Sequence, residues 1–213
     1  YYHLTLGNKK TNIIDKMKGS YLGPEFDDLS VEESLNNLKA NFTKLNRDEM
    51  LDVVSEEIKN EKAVGWFQGK MEFGPRALGS RSILADPRSD KTQKNLNLKI
   101  KFRESFRPFA PSILKEHCNK YFKLNTESPY MLIVSEVKDE IRSKLTDQEN
   151  LLFGIEKLNV KRSVIPAVTH VDYSARVQTV EKNTNLIFYD LISKFYEKTG
   201  CPLVVNTSFN IRG

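Results

Sequence analysis

The sequence predicts an α/β or α+β fold, with short strands and helices alternating around a mixed sheet. Apolar runs at 63–67, 110–114 and 202–205 have the length and composition of strands. Segments 49–60 and 185–198 instead repeat apolar residues at helical spacing. With 213 residues the chain is long enough to bury a full core.

The remaining elements are assigned from breakers, caps and periodicity. Asn46 is expected to cap the helix at 49–60, and Gly200 to end the helix at 185–198. The other predicted elements, in chain order, are a helix at 31–42 capped by Ser30, a helix at 116–122, a strand at 130–137, an irregular stretch at 139–162, and neighbouring strands at 165–170 and 176–180. Residues 1–46 are polar and are interpreted as a linker or extension, which leaves 47–213 as the folded domain. Both ends are interpreted as cut, so we expect a longer parent protein.

Composition narrows the class of protein. Charged residues make up 29% and hydrophobic residues 39%, and the formal net charge is +5, which permits anionic ligands without requiring nucleic acid. Cys118 and Cys201 have no CxxC spacing, so we expect free, non-catalytic thiols and no metal site. No apolar run is long enough to span a bilayer. These features predict a cytoplasmic protein that is not membrane-bound.

A loop rich in glycine and arginine follows the strand at 63–67. Between Lys70 and Arg107 there are ten basic and four acidic residues. Glycines let the backbone approach a ligand, and arginines bind phosphate or carboxylate through planar forks. Arg76 and Arg81 are therefore candidate anion ligands. The alternative is that these arginines pair with nearby carboxylates, and Arg88 fits that alternative best.

Three further groups are candidates for the same site. Lys101, Arg103 and Arg107 would face one side of a strand, although a solvated basic edge strand would look the same. Arg176 begins an otherwise apolar strand and so needs an anionic partner. His170 is either a ligand or a hydrogen-bonded structural residue. The polar run 206–210 follows a buried strand and suits ribose or phosphate oxygens, but also ordinary turns.

No glycine-rich phosphate-binding motif, zinc-protease motif or nucleophile elbow occurs in the sequence. A nucleotide would therefore be held by side-chain cations and scattered backbone groups.

Four segments together resemble one family. Residues 65–84 (GWFQGKMEFGPRALGSRSIL) resemble the signature of the C-terminal region of O-carbamoyltransferases of the nodulation and antibiotic-tailoring type. Segments 101–111, 169–178 and 206–210 are similar to the second, third and fourth motifs of that region, in the same order. Residues 21–25 (YLGPE) resemble the linker motif that precedes it.

The resemblance implies a YrdC-like domain, with a twisted mixed sheet, flanking helices and a positively charged central cavity. In the family this domain forms carbamoyl-adenylate from carbamoyl phosphate and ATP, with Mg²⁺ accompanying ATP. A separate N-terminal actin-like domain then transfers the carbamoyl group to a hydroxyl. Carried onto this sequence, the residues implied to hold the phosphates and the carbamoyl group are Arg76, Lys101, Arg107 and Arg176. Those implied to bind the nucleotide are Arg81, Arg103, His170, Asn206, Ser208 and Asn210.

The family's metal-binding histidine motif belongs to the transfer domain and is missing here, so transfer is not expected from this chain alone. Segment 139–162 looks longer than the family needs. Two other hypotheses remain: an RNA-binding module related to tRNA modification, and an interaction domain that keeps the fold without catalysis.

Overall fold

The computed structural model describes Asp15 and residues 17–210. Its centre is a six-stranded sheet with strand order β1-β2-β6-β3-β5-β4. The β3–β5 pair is parallel and the other four pairs are antiparallel, so the predicted mixed α/β architecture is confirmed. The strands are β1 (Val64–Phe67), β2 (Arg81–Ala85), β3 (Ala110–Leu114), β4 (Ile133–Glu136), β5 (Ser174–Val180) and β6 (Leu203–Ser208).

Helices flank this sheet and fill its connections. The α-helices are α1 (Asp28–Asn37), α2 (Arg47–Lys59), α3 (Thr92–Asn95), α4 (Cys118–Tyr121), α5 (Asp147–Leu151), α6 (Ile155–Leu158) and α7 (Leu186–Thr199). Short 3-10 helices occur at Lys18–Ser20, Lys115–His117, Asp139–Ile141 and Pro166–Val168, and Leu96–Ile100 is a π-helix.

The two long helices form for the predicted reasons. Asn46 accepts the backbone N–H of Glu49, whose carboxylate in turn accepts the N–H of Asn46, so α2 begins with a complete capping box. Gly200 ends α7 with a left-handed φ of 71°. For α1 the predicted cap was wrong. Asp27, not Ser30, caps it, because its carboxylate accepts the N–H of Ser30 at 2.8 Å and starts the helix three residues earlier.

Some predicted strands needed correction. Segment 165–170 is not a strand, because Pro166 has no N–H to donate and opens a 3-10 turn. Residues 101–107 are not a strand either: they follow the π-helix as turns. β1 is an edge strand with only Trp66 buried, where a buried strand was predicted. β6 continues through Ser208, so residues 206–208 lie in a strand and not in a loop.

Alternation along the strands separates an apolar from a polar side of the sheet. Ile113, Leu203 and Val205 belong to one apolar cluster with residues of α2 and α7. Ser112, Gln178 and Asn206 alternate with apolar positions on their strands and contact one another. The functional candidates therefore collect on the polar side.

The predicted linker is described only from residue 15 onward, and not at residue 16. Asp15 and residues 17–24 contact the domain, whereas α1 buries none of its residues. None of the helices in the described ranges is long and apolar enough to cross a membrane.

Candidate functional site

The loop between β1 and β2 is folded around one buried carboxylate. Oε1 of Glu72 accepts the backbone N–H groups of Leu78 at 2.8 Å, Ser80 at 2.7 Å and Arg81 at 3.2 Å. Glu72 is 7% exposed, and these bonds compensate the burial of its charge. Glu72 is not among the ten predicted site residues. Its actual role is to fix the backbone of the arginine loop.

Gly79 makes the loop's last turn possible. Its φ is +105°, and an added Cβ would lie 2.2 Å from Cδ1 of the buried Phe188. Its carbonyl accepts hydrogen bonds from Nε1 of Trp66 at 2.9 Å and Nε2 of Gln68 at 2.7 Å. A residue with a side chain is excluded by both conformation and space.

The segment before α1 clamps the other side of the loop. The hydroxyl of Tyr21 donates to the Leu78 carbonyl at 2.7 Å, and burial raises the pKa of this phenol. Backbone bonds run from Gly23 N to the Met71 carbonyl and from Met71 N to the Pro24 carbonyl. The YLGPE motif therefore supports the arginine loop directly.

The arginine loop, the segment 101–110 and the strands β5 and β6 border a cavity of about 300 Å³ with a basic lining. Seven of the ten predicted site residues line it, namely Arg76, Lys101, Arg103, Arg176, Asn206, Ser208 and Asn210. No acidic side chain of the described residues lines it. The cavity therefore combines four cations with no carboxylate to neutralise them.

Arg76 and Arg176 have the fewest ion-pair and hydrogen-bond partners of these four cations. Within the described part of the chain neither forms an ion pair, and the Nε of each is buried without a hydrogen-bond partner. Burial, with a further contribution from Arg76, lowers the pKa of Arg176. Buried donors are normally satisfied, so this arrangement is typical of a site that receives an anion.

Lys101 and Arg103 contribute charge while their own donors are partly used. Lys101 is 1% exposed, and its Nζ donates to the Ser208 carbonyl at 2.5 Å and to the carbonyl and Oδ1 of Asn210 at 3.0 and 2.7 Å. Burial, together with Arg103, lowers the pKa of Lys101 to about 8. Nε of Arg103 donates to Oδ1 of Asn97 at 2.7 Å. Lys101 thus fixes the end of β6 and adds positive charge to the cavity.

A buried amide network holds Asn206, which lines the cavity. Nδ2 of Asn206 lies 3.1 Å from the Ala77 carbonyl, 2.9 Å from Oγ of Ser112 and 3.1 Å from Oε1 of Gln178. Nε2 of Gln178 donates to the Leu78 carbonyl at 2.9 Å. Sequence reasoning missed Ser112 and Gln178. Their signal was present as polar residues within apolar strands, which are seldom buried without a specific partner.

The other three predicted residues lie outside the cavity. The guanidinium of Arg81 lies 3.5 Å from the Phe67 ring centroid and donates to the carbonyls of Gln68, Ser80, Pro24 and Gly69. Arg107 is exposed and pairs with Glu104 at 2.8 Å. His170 lies 3.2 Å from the Ser174 hydroxyl through Nδ1, and burial lowers its pKa. The strand predicted to align Arg107 with Lys101 does not exist, so these two side chains diverge.

Arg88, Cys118 and Cys201 lie outside the cavity. Arg88 forms a salt bridge with Asp86 at 2.6 Å, as the structural alternative predicted. Cys118 and Cys201 are free and buried, and burial raises their pKa values to about 11 and about 12. Over Asp15 and residues 17–210 no group of three or more His, Cys, Asp or Glu residues is placed to hold a metal ion.

Comparison with known proteins places the chain in a family. Residues 55–213 match the family described as "Carbamoyltransferase C-terminus". The uncharacterized protein sll1178 of Synechocystis sp. is 52% identical over 201 residues, which cover 93% of this chain and 33% of that protein. Nodulation protein NolNO of Sinorhizobium fredii is 38% identical over 92% of this chain and 26% of its own length. Nodulation protein NolO of Bradyrhizobium diazoefficiens is 36% identical over 92% of this chain and 33% of its own length.

The chain therefore spans about a third or less of the length of these relatives. The family model alone covers residues 55–213, well over half of the chain, and includes all four motifs that carried the resemblance. We conclude that this chain belongs to the carbamoyltransferase family and corresponds to its C-terminal region.

Proposed function

We propose that the basic cavity binds carbamoyl phosphate and ATP and forms carbamoyl-adenylate. A separate N-terminal actin-like domain, in the longer parent protein, would then transfer the carbamoyl group to a substrate hydroxyl. The assignment to a YrdC-like domain is part of this proposal. It fits the mixed sheet and the basic cavity on its polar side.

One observation carries the proposal. Arg76 and Arg176 line the same cavity, each with a buried Nε that has no partner among the described residues. Keeping two cations together without a carboxylate is unfavourable unless an anion neutralises them. Arginine also matches the paired oxygens of a phosphate group better than a lysine ammonium does.

The proposed reaction has two steps. Water and carbamoyl phosphate give carbamate and inorganic phosphate. A carbamate oxygen then attacks the α-phosphorus of ATP, the bond to the β-phosphate bridging oxygen breaks, and pyrophosphate leaves. Mg²⁺ bound to ATP would neutralise phosphate charge. Such reactions depend on positioning and on charge stabilisation.

Each part of the cavity has a role in this scheme. Arg76 and Arg176 would bind the phosphate oxygens, while Lys101 and Arg103 would add positive potential. Ser208 and Asn210 would approach ATP from the end of β6, where Lys101 fixes their carbonyls. The arginine loop and the end of β6 both border the cavity, so ATP is proposed to bind between them.

Pyrophosphate exchange into ATP, dependent on carbamoyl phosphate, tests the adenylation step. Arg76→Ala and Arg76→Lys should both lower exchange by about ten- to a hundredfold, because one charge-assisted hydrogen bond contributes roughly 1.5–3 kcal/mol and lysine cannot reproduce the fork. Arg47→Ala and Arg47→Lys are the matched controls. Arg47 forms a surface pair with Asp190, and such pairs contribute about 0–1 kcal/mol. Full exchange activity in Arg76→Lys would show that Arg76 is not a phosphate ligand.

A binding measurement with RNA and with ATP separates the RNA-binding hypothesis. A cavity of about 300 Å³ suits a small ligand, whereas an RNA groove must follow several phosphates. Strong RNA binding that weakens steeply with salt, in a chain that binds no ATP, would favour the RNA-binding module.

A further inference from the structure

A residue that lines the basic cavity has a buried hydrogen-bond acceptor without a partner, as the two arginines have buried donors without partners. Four buried side-chain polar atoms lack a hydrogen-bond partner among the described residues, and three belong to residues that line this cavity. Two are the donors of Arg76 and Arg176, and the third is the acceptor Oδ1 of Asn206. Asn206 is only 2% exposed, so bulk water does not readily satisfy this oxygen.

The orientation of the Asn206 amide follows from its neighbours. The Ala77 carbonyl, 3.1 Å from Nδ2, can only accept a hydrogen bond. Exchanging the amide nitrogen and oxygen would therefore place two acceptors against each other. Oε1 of Gln178, 3.1 Å from the same nitrogen, adds a second acceptor on that side. These neighbours therefore fix the orientation of the amide and leave Oδ1 without a partner.

The sheet places this acceptor beside the arginine site. Asn206 on β6 pairs with Ala110 on β3, while Ser112 of β3 pairs with Gln178 of β5. Extending this register two residues earlier would bring Ala110 opposite Arg176, and both residues line the cavity. Asn206 and Arg176 are therefore two strands apart, about 10 Å between backbones. The methyl group of Ala110 leaves the space between them open, and Ala110 lines the cavity.

A ligand that satisfies all three atoms needs two different ends. One end must be anionic, to accept from the arginines, and the other must carry a neutral N–H donor for Asn206. We infer that Asn206 is a specificity-determining residue, whose Oδ1 accepts the carbamoyl N–H and selects carbamoyl phosphate over acyl phosphates that carry a methyl group instead. This inference rests on the proposed function and deepens it.

Stable analogues allow a direct test on the 213-residue chain. Phosphonoacetamide replaces the bridging oxygen of carbamoyl phosphate by a methylene group, and 2-oxopropylphosphonate differs from it only by a methyl in place of the amide NH₂. Titration calorimetry should give an affinity for the amide about 5- to 150-fold higher, which is the range expected when a buried acceptor is left unsatisfied. Asn206→Ala should reduce the ratio to about one, whereas Asn119→Ala, on an exposed residue of α4, should leave it unchanged.

The possible results distinguish this inference from the proposed function. Equal affinity of the wild-type chain for the two phosphonates would overturn the role of Asn206. The cavity would then still bind the anionic phosphonate group. Binding of neither phosphonate would overturn both proposals. The comparison of ligands on the wild-type chain decides the question even where Asn206→Ala does not fold.

Discussion

Replacing Arg176 by methionine should stabilise the ligand-free protein and at the same time abolish its affinity for anions. Methionine keeps most of the aliphatic length of arginine but removes the charge. In the present structure that charge lies with Arg76 in one cavity, and the Nε of Arg176 is buried without a partner. A structural arginine would show the opposite behaviour, and Arg162 provides that comparison.

The expected magnitudes follow from the hydrogen bonds of each arginine. A buried donor without a partner costs about 1–3 kcal/mol, so Arg176→Met should raise the free energy of unfolding by about 1–2 kcal/mol. Arg162 is 3% exposed and donates to the carbonyls of Lys157, Leu158, Val160, Thr169 and His170. Arg162→Met leaves several of these acceptors unsatisfied and should lower the free energy of unfolding by about 3–5 kcal/mol.

Urea unfolding followed by tryptophan fluorescence measures both variants. The chain has one tryptophan, Trp66, which is 4% exposed and so reports on the loss of the core. Repeating the titration with sulfate gives the second readout, because an anion that binds only the folded state stabilises it. Sulfate should stabilise the wild type and Arg162→Met, but not Arg176→Met.

Arg176→Met could instead be destabilised to the same extent as Arg162→Met. That result would mean that Arg176 has a structural partner in the folded protein. Unchanged stabilisation of Arg176→Met by sulfate would equally show that the anion binds elsewhere.

Three further predictions concern the surroundings of the cavity. Gly79→Ala should lower the free energy of unfolding by more than about 3 kcal/mol, because its Cβ would overlap the ring of Phe188 at a φ of +105°; a urea midpoint within error of the wild type would contradict this. Because the pKa of Lys101 is lowered to about 8, it is charged below that pH and neutral above it, so sulfate affinity measured by calorimetry should fall between pH 7 and 9.5. Lys101→Met should remove this dependence, and a parallel decline in that variant would assign it to another group. Arg88→Ala should lower the free energy of unfolding by about 1–3 kcal/mol in the urea assay, because it leaves the carboxylate of Asp86, itself 2% exposed, without its partner. A change below about 0.5 kcal/mol would instead indicate an ordinary surface pair.

The sequence determined the local features of this protein. Apolar runs and caps identified β1, β3, α2 and α7. An element with one buried face repeats apolar residues at the spacing of a strand or a helix, and this repeat is visible in the sequence. The cluster of glycine and arginine predicted an anion site in the loop before β2, and the four motifs identified the family. Each of these signals lies within a few neighbouring residues.

Other local expectations failed where a proline or an irregular helix changed the course of the backbone. Pro166 turned an apolar segment into a 3-10 helix, and the π-helix Leu96–Ile100 redirected the basic segment after it. Arg107 therefore points away from the residues with which it was grouped. Periodicity could not show this, because the parity argument holds only if the segment is a strand.

Only the tertiary structure decided which charges remain without partners. Arg76, Arg81, Arg88 and Arg162 are the same type of residue, yet carbonyls satisfy Arg81 and Arg162 and a carboxylate satisfies Arg88. The partners of Arg88 and Arg162 lie two to eight residues away, whereas Arg81 also donates to the carbonyl of Pro24, 57 residues away. Which of these partners reaches a guanidinium depends on how the surrounding chain folds. The free acceptor of Asn206 likewise results from Ala77, Ser112 and Gln178, which a sequence separates by dozens of positions and the sheet places in contact.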